Sequence, residues 1–105
     1  MSRAYANLDC AMLFWLDHRG SRGHEEVERL ARTNSMIIAS ACCCGRNEQG
    51  DPCRGGSNVT GPRGQLLAEI WDAEGVIFAD VDPAEVPALR QDNPRYRGQR
   101  RDLYR

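Results

Sequence analysis

Hydrophobic positions fall along this chain in short blocks separated by polar, glycine-punctuated stretches. Ala11–Leu16 is a continuous apolar run, the pattern of a strand covered on both faces as in a parallel sheet. Asp17–Gly23 reads as a loop. A helix is expected from about His24 to Thr33. Glu25 and Glu26 lie in its first turn, where the helix dipole favours negative charge. Val27, Leu30 and Ala31 follow i, i+3, i+4 spacing and form one apolar stripe. Glu25 with Arg29, and Glu28 with Arg32, are candidate ion pairs on its wet side. Met36–Cys42 is a second apolar run and a second buried strand. Strand, helix, strand in this length is a βαβ unit with an expected right-handed crossover.

Gly45–Gly56 is polar and rich in turn formers, so a loop is expected. Ser57–Thr60, the turn Gly61-Pro62-Arg63-Gly64 and Leu66–Ile70 then read as a β-hairpin. Pro62 suits the first central turn position and Gly64 frees the exit. Val76–Asp82 reads as a further strand. Pro83 opens a short helix with Asp82 as its cap. Asn93–Arg105 is polar and interrupted by Pro and Gly, which predicts an extended tail.

Charge and composition narrow the class. The 105 residues carry a net charge of −1, but it is unevenly spread. Residues 90–105 hold six arginines against Asp92 and Asp102, while residues 1–89 hold eight against thirteen acids. Near-neutral overall charge and the absence of a recognisable nucleic-acid module favour a tail docked on protein over one bound to nucleic acid. No apolar run approaches the roughly 18 residues needed to span a bilayer, and Met1–Asn7 lacks the apolar centre of a signal peptide. Five cysteines, odd in number and three of them consecutive, suit reduced thiols better than a secreted disulfide framework. The expectation is a cytoplasmic protein without membrane or nucleic-acid partners.

Three stretches in order carry a family resemblance. Gly55-Gly56-Ser57-Asn58-Val59-Thr60-Gly61-Pro62-Arg63-Gly64-Gln65-Leu66-Leu67-Ala68-Glu69 resembles the late hairpin of carbon–nitrogen hydrolases, the nitrilase superfamily. Glu74–Asp82 is similar to that family's following strand. Arg97–Tyr104 is similar to its terminal arginine-rich tail ending in Asp-Leu-Tyr. The resemblance covers nearly the whole chain, but only the back part of a full-length member. It implies an α/β fold that forms part of a four-layer αββα sandwich. Residues 1–92 would be the C-terminal portion of the domain, and residues 93–105 a tail for subunit contact in a homo-oligomer. It implies hydrolysis of non-peptide C–N bonds in small-molecule amides, nitriles or carbamoyl compounds, without a cofactor.

That chemistry uses a glutamate base, a lysine beside the developing oxyanion and a cysteine nucleophile. This chain contains no lysine; all fourteen basic residues are arginine. By resemblance, the nucleophilic cysteine also falls upstream of residue 1, with Met1–Leu8 matching the helix that follows it. No catalytic residue is therefore assigned. Cys10 is a poor substitute, because it enters the first strand at its amino end, whereas sites in such sheets gather at carboxyl ends. The resemblance places Trp15, Asp17, His18 and Cys42 along a substrate-pocket wall. The alternative for Trp15 is a core position followed by a solvated loop.

Cys42, Cys43 and Cys44 invite a metal reading. Alternation along a strand turns Cys43 away from the other two, and the spacing does not suit tetrahedral zinc. No metal is expected. Two further readings stay open: a non-catalytic partner of an intact homologue or of an N-terminal half, and a small Cys-rich metal or redox module.

Overall fold

The computed structural model describes residues 2–17 and 24–94. The chain runs α1 (Ser2–Asn7), β1 (Met12–Asp17), α2 (His24–Asn34), β2 (Ile37–Cys42), β3 (Cys44–Arg46), β4 (Pro52–Arg54), β5 (Ser57–Thr60), β6 (Leu66–Ile70) and α3 (Glu85–Asp92). The four-stranded sheet has the order β1-β2-β5-β6. β1 and β2 are parallel, with Leu13 beside Ile38 and Trp15 beside Ser40. β5 joins β2 antiparallel, and β6 completes the expected hairpin. The βαβ unit and the hairpin are both where the hydrophobic pattern puts them.

Helices cover one face of this sheet. Ala6 of α1, Val27 and Ala31 of α2, and Met36 and Ile38 at β2 form the buried cluster, with Cys10, Leu13, Trp15 and Leu30 packed against it. The stripe read at Val27, Leu30 and Ala31 is the stripe that packs. Glu28 and Arg32 close on the wet side at 3.2 Å. Both α1 and α2 end without glycine. Asp9 and Ser35 adopt φ of 63° and 46°. Cys10 N–H then donates to Tyr5 O at 3.1 Å, and Met36 N–H to Ala31 O at 3.0 Å. These are the backbone closures of the Schellman motif. They turn each helix directly into the strand that follows.

α3 is fastened across these two turns. Its Val86 is fully buried, and Arg90, one helical turn on, is also buried. The Arg90 guanidinium donates through Nε to Asn34 O at 3.4 Å and through Nη2 to Cys10 O. Asn93 adds bonds to Thr33 O at 3.2 Å and Ser35 Oγ at 3.1 Å. A cation at the carboxyl end of α2 also suits the helix dipole. The start of this region follows expectation: Asp82 accepts from Ala84 N–H at 3.0 Å, and Pro83 begins the turn. The α-helix itself starts two residues later, at Glu85.

Two sequence expectations need correcting. The stretch read as a loop at Gly45–Gly56 contains the short β3–β4 hairpin. Its strands are three residues each, too short for alternation to register. A side chain organises its turn: Asn47 Oδ1 accepts from Gln49 N–H at 3.0 Å and Asp51 N–H at 2.8 Å. The strand expected at Val76–Asp82 joins neither sheet among the described residues. It keeps a strand's alternation, with Ile77, Ala79 and Val81 half-buried and Val76, Phe78 and Asp80 exposed. A hydrophobic pattern specifies an extended segment, but a ladder also requires a neighbouring strand. The arginine-rich tail at 95–105 lies outside the described residues.

The face of β1 opposite the helices is bare. Phe14 and Leu16 alternate with the core residues Leu13 and Trp15, and are 72% and 83% exposed; Phe78 is 86% exposed.

Candidate functional site

Of the four residues singled out for a pocket wall, Trp15 and Asp17 lie on β1 and Cys42 ends β2. The parallel register sets Asp17 beside Cys42, two positions beyond the Trp15–Ser40 pair. Trp15 packs against the helix-side core cluster, which matches the core alternative considered for it. Cys42 is half-buried. His18 and the side chain of Asp17 lie outside the described residues.

Around Cys42 the β2–β5 seam is held by side chains that sequence reasoning did not single out. Cys42 N–H donates to Ser57 Oγ at 2.8 Å, and the Ser57 hydroxyl lies 3.4 Å from Cys42 O. One step inward, Asn58 N–H donates to Ser40 Oγ at 3.3 Å. Asn58 is itself buried; its Nδ2 donates to Gly56 O at 2.9 Å and its Oδ1 accepts from Thr60 Oγ1 at 2.9 Å. The recorded β2–β5 register ends at Ser40–Asn58, and hydroxyls continue the pairing where it stops. The buried bonds of Asn58 together with the half-buried bonds at Ser40 and Ser57 stiffen this edge.

Gly55 and Gly56 take φ of 72° and 88° and let the chain pass from β4 into β5. A Cβ built on Gly55 would stand 2.1 Å from the Trp71 carbonyl oxygen. Only glycine fits that approach.

The other candidates separate as follows. Cys10 lies at the amino end of β1, where its carbonyl serves Arg90, and away from the Cys42 end. None of the five cysteines is joined in a disulfide among the described residues. Among the described residues, no three His, Cys, Asp or Glu side chains converge on a metal-sized position. A groove of about 530 Å³, lined by Arg29, Arg32, Thr33, Asn93 and Pro94, lies at the carboxyl end of α2. That is the amino end of β2, opposite the Cys42 edge. The arrangement can shape and stiffen a cavity wall, and it has no amine to neutralise an oxyanion.

The human omega-amidase NIT2 is 26% identical to this chain over 109 residues, spanning 99% of the chain and 40% of that protein. A carbon–nitrogen hydrolase from Helicobacter pylori superposes with a TM-score of 0.79 at 19% identity, over 98% of this chain and 42% of that one. An amidase from Nesterenkonia superposes with a TM-score of 0.74 at 26% identity, over 99% and 37%. The chain is a relative of the nitrilase superfamily. No protein-family model matches it.

The chain spans about two fifths of the length of the curated relatives it matches most fully. Nitrilase-superfamily relatives of this chain are omega-amidases and carbon–nitrogen hydrolases, and its α/β fold is part of theirs. In a point mutant of the Nesterenkonia amidase, the acetamide moiety of fluoroacetamide is attached covalently to the active-site cysteine. Among the described residues, no helix is long and apolar enough to cross a membrane.

Proposed function

We propose that this chain is the rear scaffold of an amide-hydrolysing carbon–nitrogen hydrolase. In this reading it supplies a sheet, one wall of the pocket and an assembly surface, while the reacting groups come from polypeptide outside these 105 residues. The observation that carries the reading is chemical. Thiol-based amide hydrolysis needs a cation or donor set where the oxyanion develops, and a chain without a single lysine lacks the amine its relatives' chemistry calls for. The substrate class, small-molecule amides, follows from the omega-amidase relatives.

Within that scaffold Asp17, His18 and Cys42 line the pocket, with Trp15 packed in the core behind them and Ser57 and Asn58 holding the Cys42 edge in place. Residues 93–105 serve as a subunit-contact tail beyond a domain portion at 1–92. The bare face at Phe14 and Leu16 receives a second apolar layer, from the same polypeptide or from a partner that completes the fold. An exposed apolar face of this kind favours association. Five cysteines outside any disulfide fit a reducing, cytoplasmic setting.

Two measurements test this. The purified 105-residue chain, assayed against a panel of small amides, nitriles and carbamoyl compounds, is expected to give no turnover above background. Turnover above background overturns the scaffold reading. Size-exclusion chromatography with light scattering is expected to show self-association or capture of a complementing chain. A soluble monomer that ignores an N-terminal hydrolase segment overturns the assembly part.

A further inference from the structure

The carboxyl end of α2 meets the end of α3 in the groove of about 530 Å³ lined by Arg29, Arg32, Thr33, Asn93 and Pro94. That volume falls within the roughly 300–1,000 Å³ usual for small-molecule sites. Hydrogen bonds between the two helices fasten its floor. Asn93 Nδ2 donates to Thr33 O at 3.2 Å and to Ser35 Oγ at 3.1 Å. Arg90, one turn earlier on α3, donates to Asn34 O at 3.4 Å.

The groups left over at this helix end select the ligand. A helix terminates in carbonyls without partners, which ordinarily attract cations. In α2 these carbonyls are already taken. Leu30 O accepts from Asn34 Nδ2 at 2.9 Å. Ala31 O accepts from Met36 N–H at 3.0 Å, and Arg32 O from Ser35 N–H at 3.4 Å. Thr33 O and Asn34 O are held by Asn93 and Arg90. Among the described residues, the lining holds two guanidinium groups and no carboxylate. Arg32 gives Nη1 to Glu28 at 3.2 Å, and the rest of its five N–H donors stay available. Arg29 is exposed and makes no salt bridge among the described residues. Three positions apart on a helix, the two side chains start about 5–6 Å from each other at Cβ and can close on one anion. Each guanidinium fork matches the paired oxygens of a carboxylate or phosphate. Two forks call for an anion with two charges.

We propose that this groove binds a small dianion presenting carboxylate or phosphate oxygens, with Arg29 and Arg32 as its ligands. The groove belongs to the helix layer, whose core face packs on the side of the sheet opposite Phe14 and Leu16. Association through that bare face therefore leaves it open.

Inorganic phosphate and succinate are the probes, with acetate as the singly charged control. The full 105-residue chain is titrated with each at constant ionic strength, because salt screens exposed charges. The arginine Nε–H signals are followed by nuclear magnetic resonance. Phosphate, succinate or both are expected to shift Arg29 and Arg32 saturably, and the one that does so identifies the oxyanion. Acetate, which engages one fork, should bind about three- to fivefold more weakly. Arg29→Gln and Arg32→Gln are each expected to weaken dianion binding about three- to fivefold, the size of one exposed charge pair, and the double variant about tenfold or more. Arg46→Gln, on the β3–β4 hairpin, should leave it within roughly twofold. Far-ultraviolet circular dichroism checks that each variant keeps its secondary structure. The proposal is overturned by no saturable shift with either dianion, by acetate binding as tightly as they do, or by a folded double variant that keeps its affinity. Turnover and assembly test the scaffold reading, so the two stand or fall separately.

Discussion

Arg90→Met asks whether α3 is held by a charged staple or by its apolar face. Arg90 is 5% exposed and bridges two backbone carbonyls, Asn34 O and Cys10 O, at the turns that end α2 and α1. Methionine keeps most of the side-chain volume and removes both donors. Hydrogen bonds to a charged group contribute about 1.5–3 kcal/mol each. Cys10 is only half-buried, so its carbonyl can regain water, and the lower half of that range applies. The expected loss is about 3 kcal/mol, a large part of the roughly 5–15 kcal/mol that stabilises a small domain. With a urea m-value of about 1.5 kcal/mol/M, the unfolding midpoint should fall by about 2 M. Hydrogen exchange should locate the loss in the α3 amides before the sheet. Arg90→Lys should recover about half, since one ammonium cannot reproduce the fork that reaches both carbonyls. A midpoint shift below about 0.3 M for Arg90→Met would refute the staple and leave Val86 as the anchor of α3.

Other substitutions probe separate parts of the chain. Gly55→Ala forces a Cβ to 2.1 Å from the Trp71 carbonyl in a left-handed backbone; it should cost about 2–4 kcal/mol, read by denaturant unfolding, and a neutral result would mean that the β4–β5 passage is loose. Phe14→Ser with Leu16→Ser should change the stability of the isolated chain by less than about 1 kcal/mol, because both side chains are exposed, while light scattering reports weaker self-association; a collapse of stability would mean that the face is covered. Asn47→Ala removes two bonds from the β3–β4 turn and should lower hairpin protection by about 1 kcal/mol in hydrogen exchange, with the four-stranded sheet unchanged. Ser57→Ala should loosen the Cys42 edge, seen as faster exchange of the Cys42 amide, and slow exchange there would show that another group holds it.

Legibility differed by kind of feature. The apolar runs at β1 and β2 and the Val27, Leu30, Ala31 stripe were readable because burial imposes a period on sequence. The β5–β6 hairpin was readable because its turn needs Pro62 and Gly64 at set places, and Gly64 N–H does close on Gly61 O at 2.9 Å. The β3–β4 hairpin was not, since Asn47 builds its turn through side-chain bonds that have no hydrophobic signature. At the candidate site Cys42 was readable as a strand end. Ser40, Ser57 and Asn58 were not, because their roles exist only once β2 and β5 lie side by side.

Composition alone decided that this chain has no amine to place at a reaction centre, and residue pattern decided which segments extend and which coil. Tertiary structure decided the rest. Register put Asp17 beside Cys42, and docking of α3 gave Arg90 two carbonyls fifty-six and eighty residues away in sequence. Among the described residues it also left 76–82 outside both sheets, although the sequence reads there as a strand. The physical reason is the range of the forces involved. Period and backbone preference act over a few residues and are written locally. Hydrogen-bond partners and coverage of a face depend on which distant surfaces meet, and no local pattern encodes that meeting.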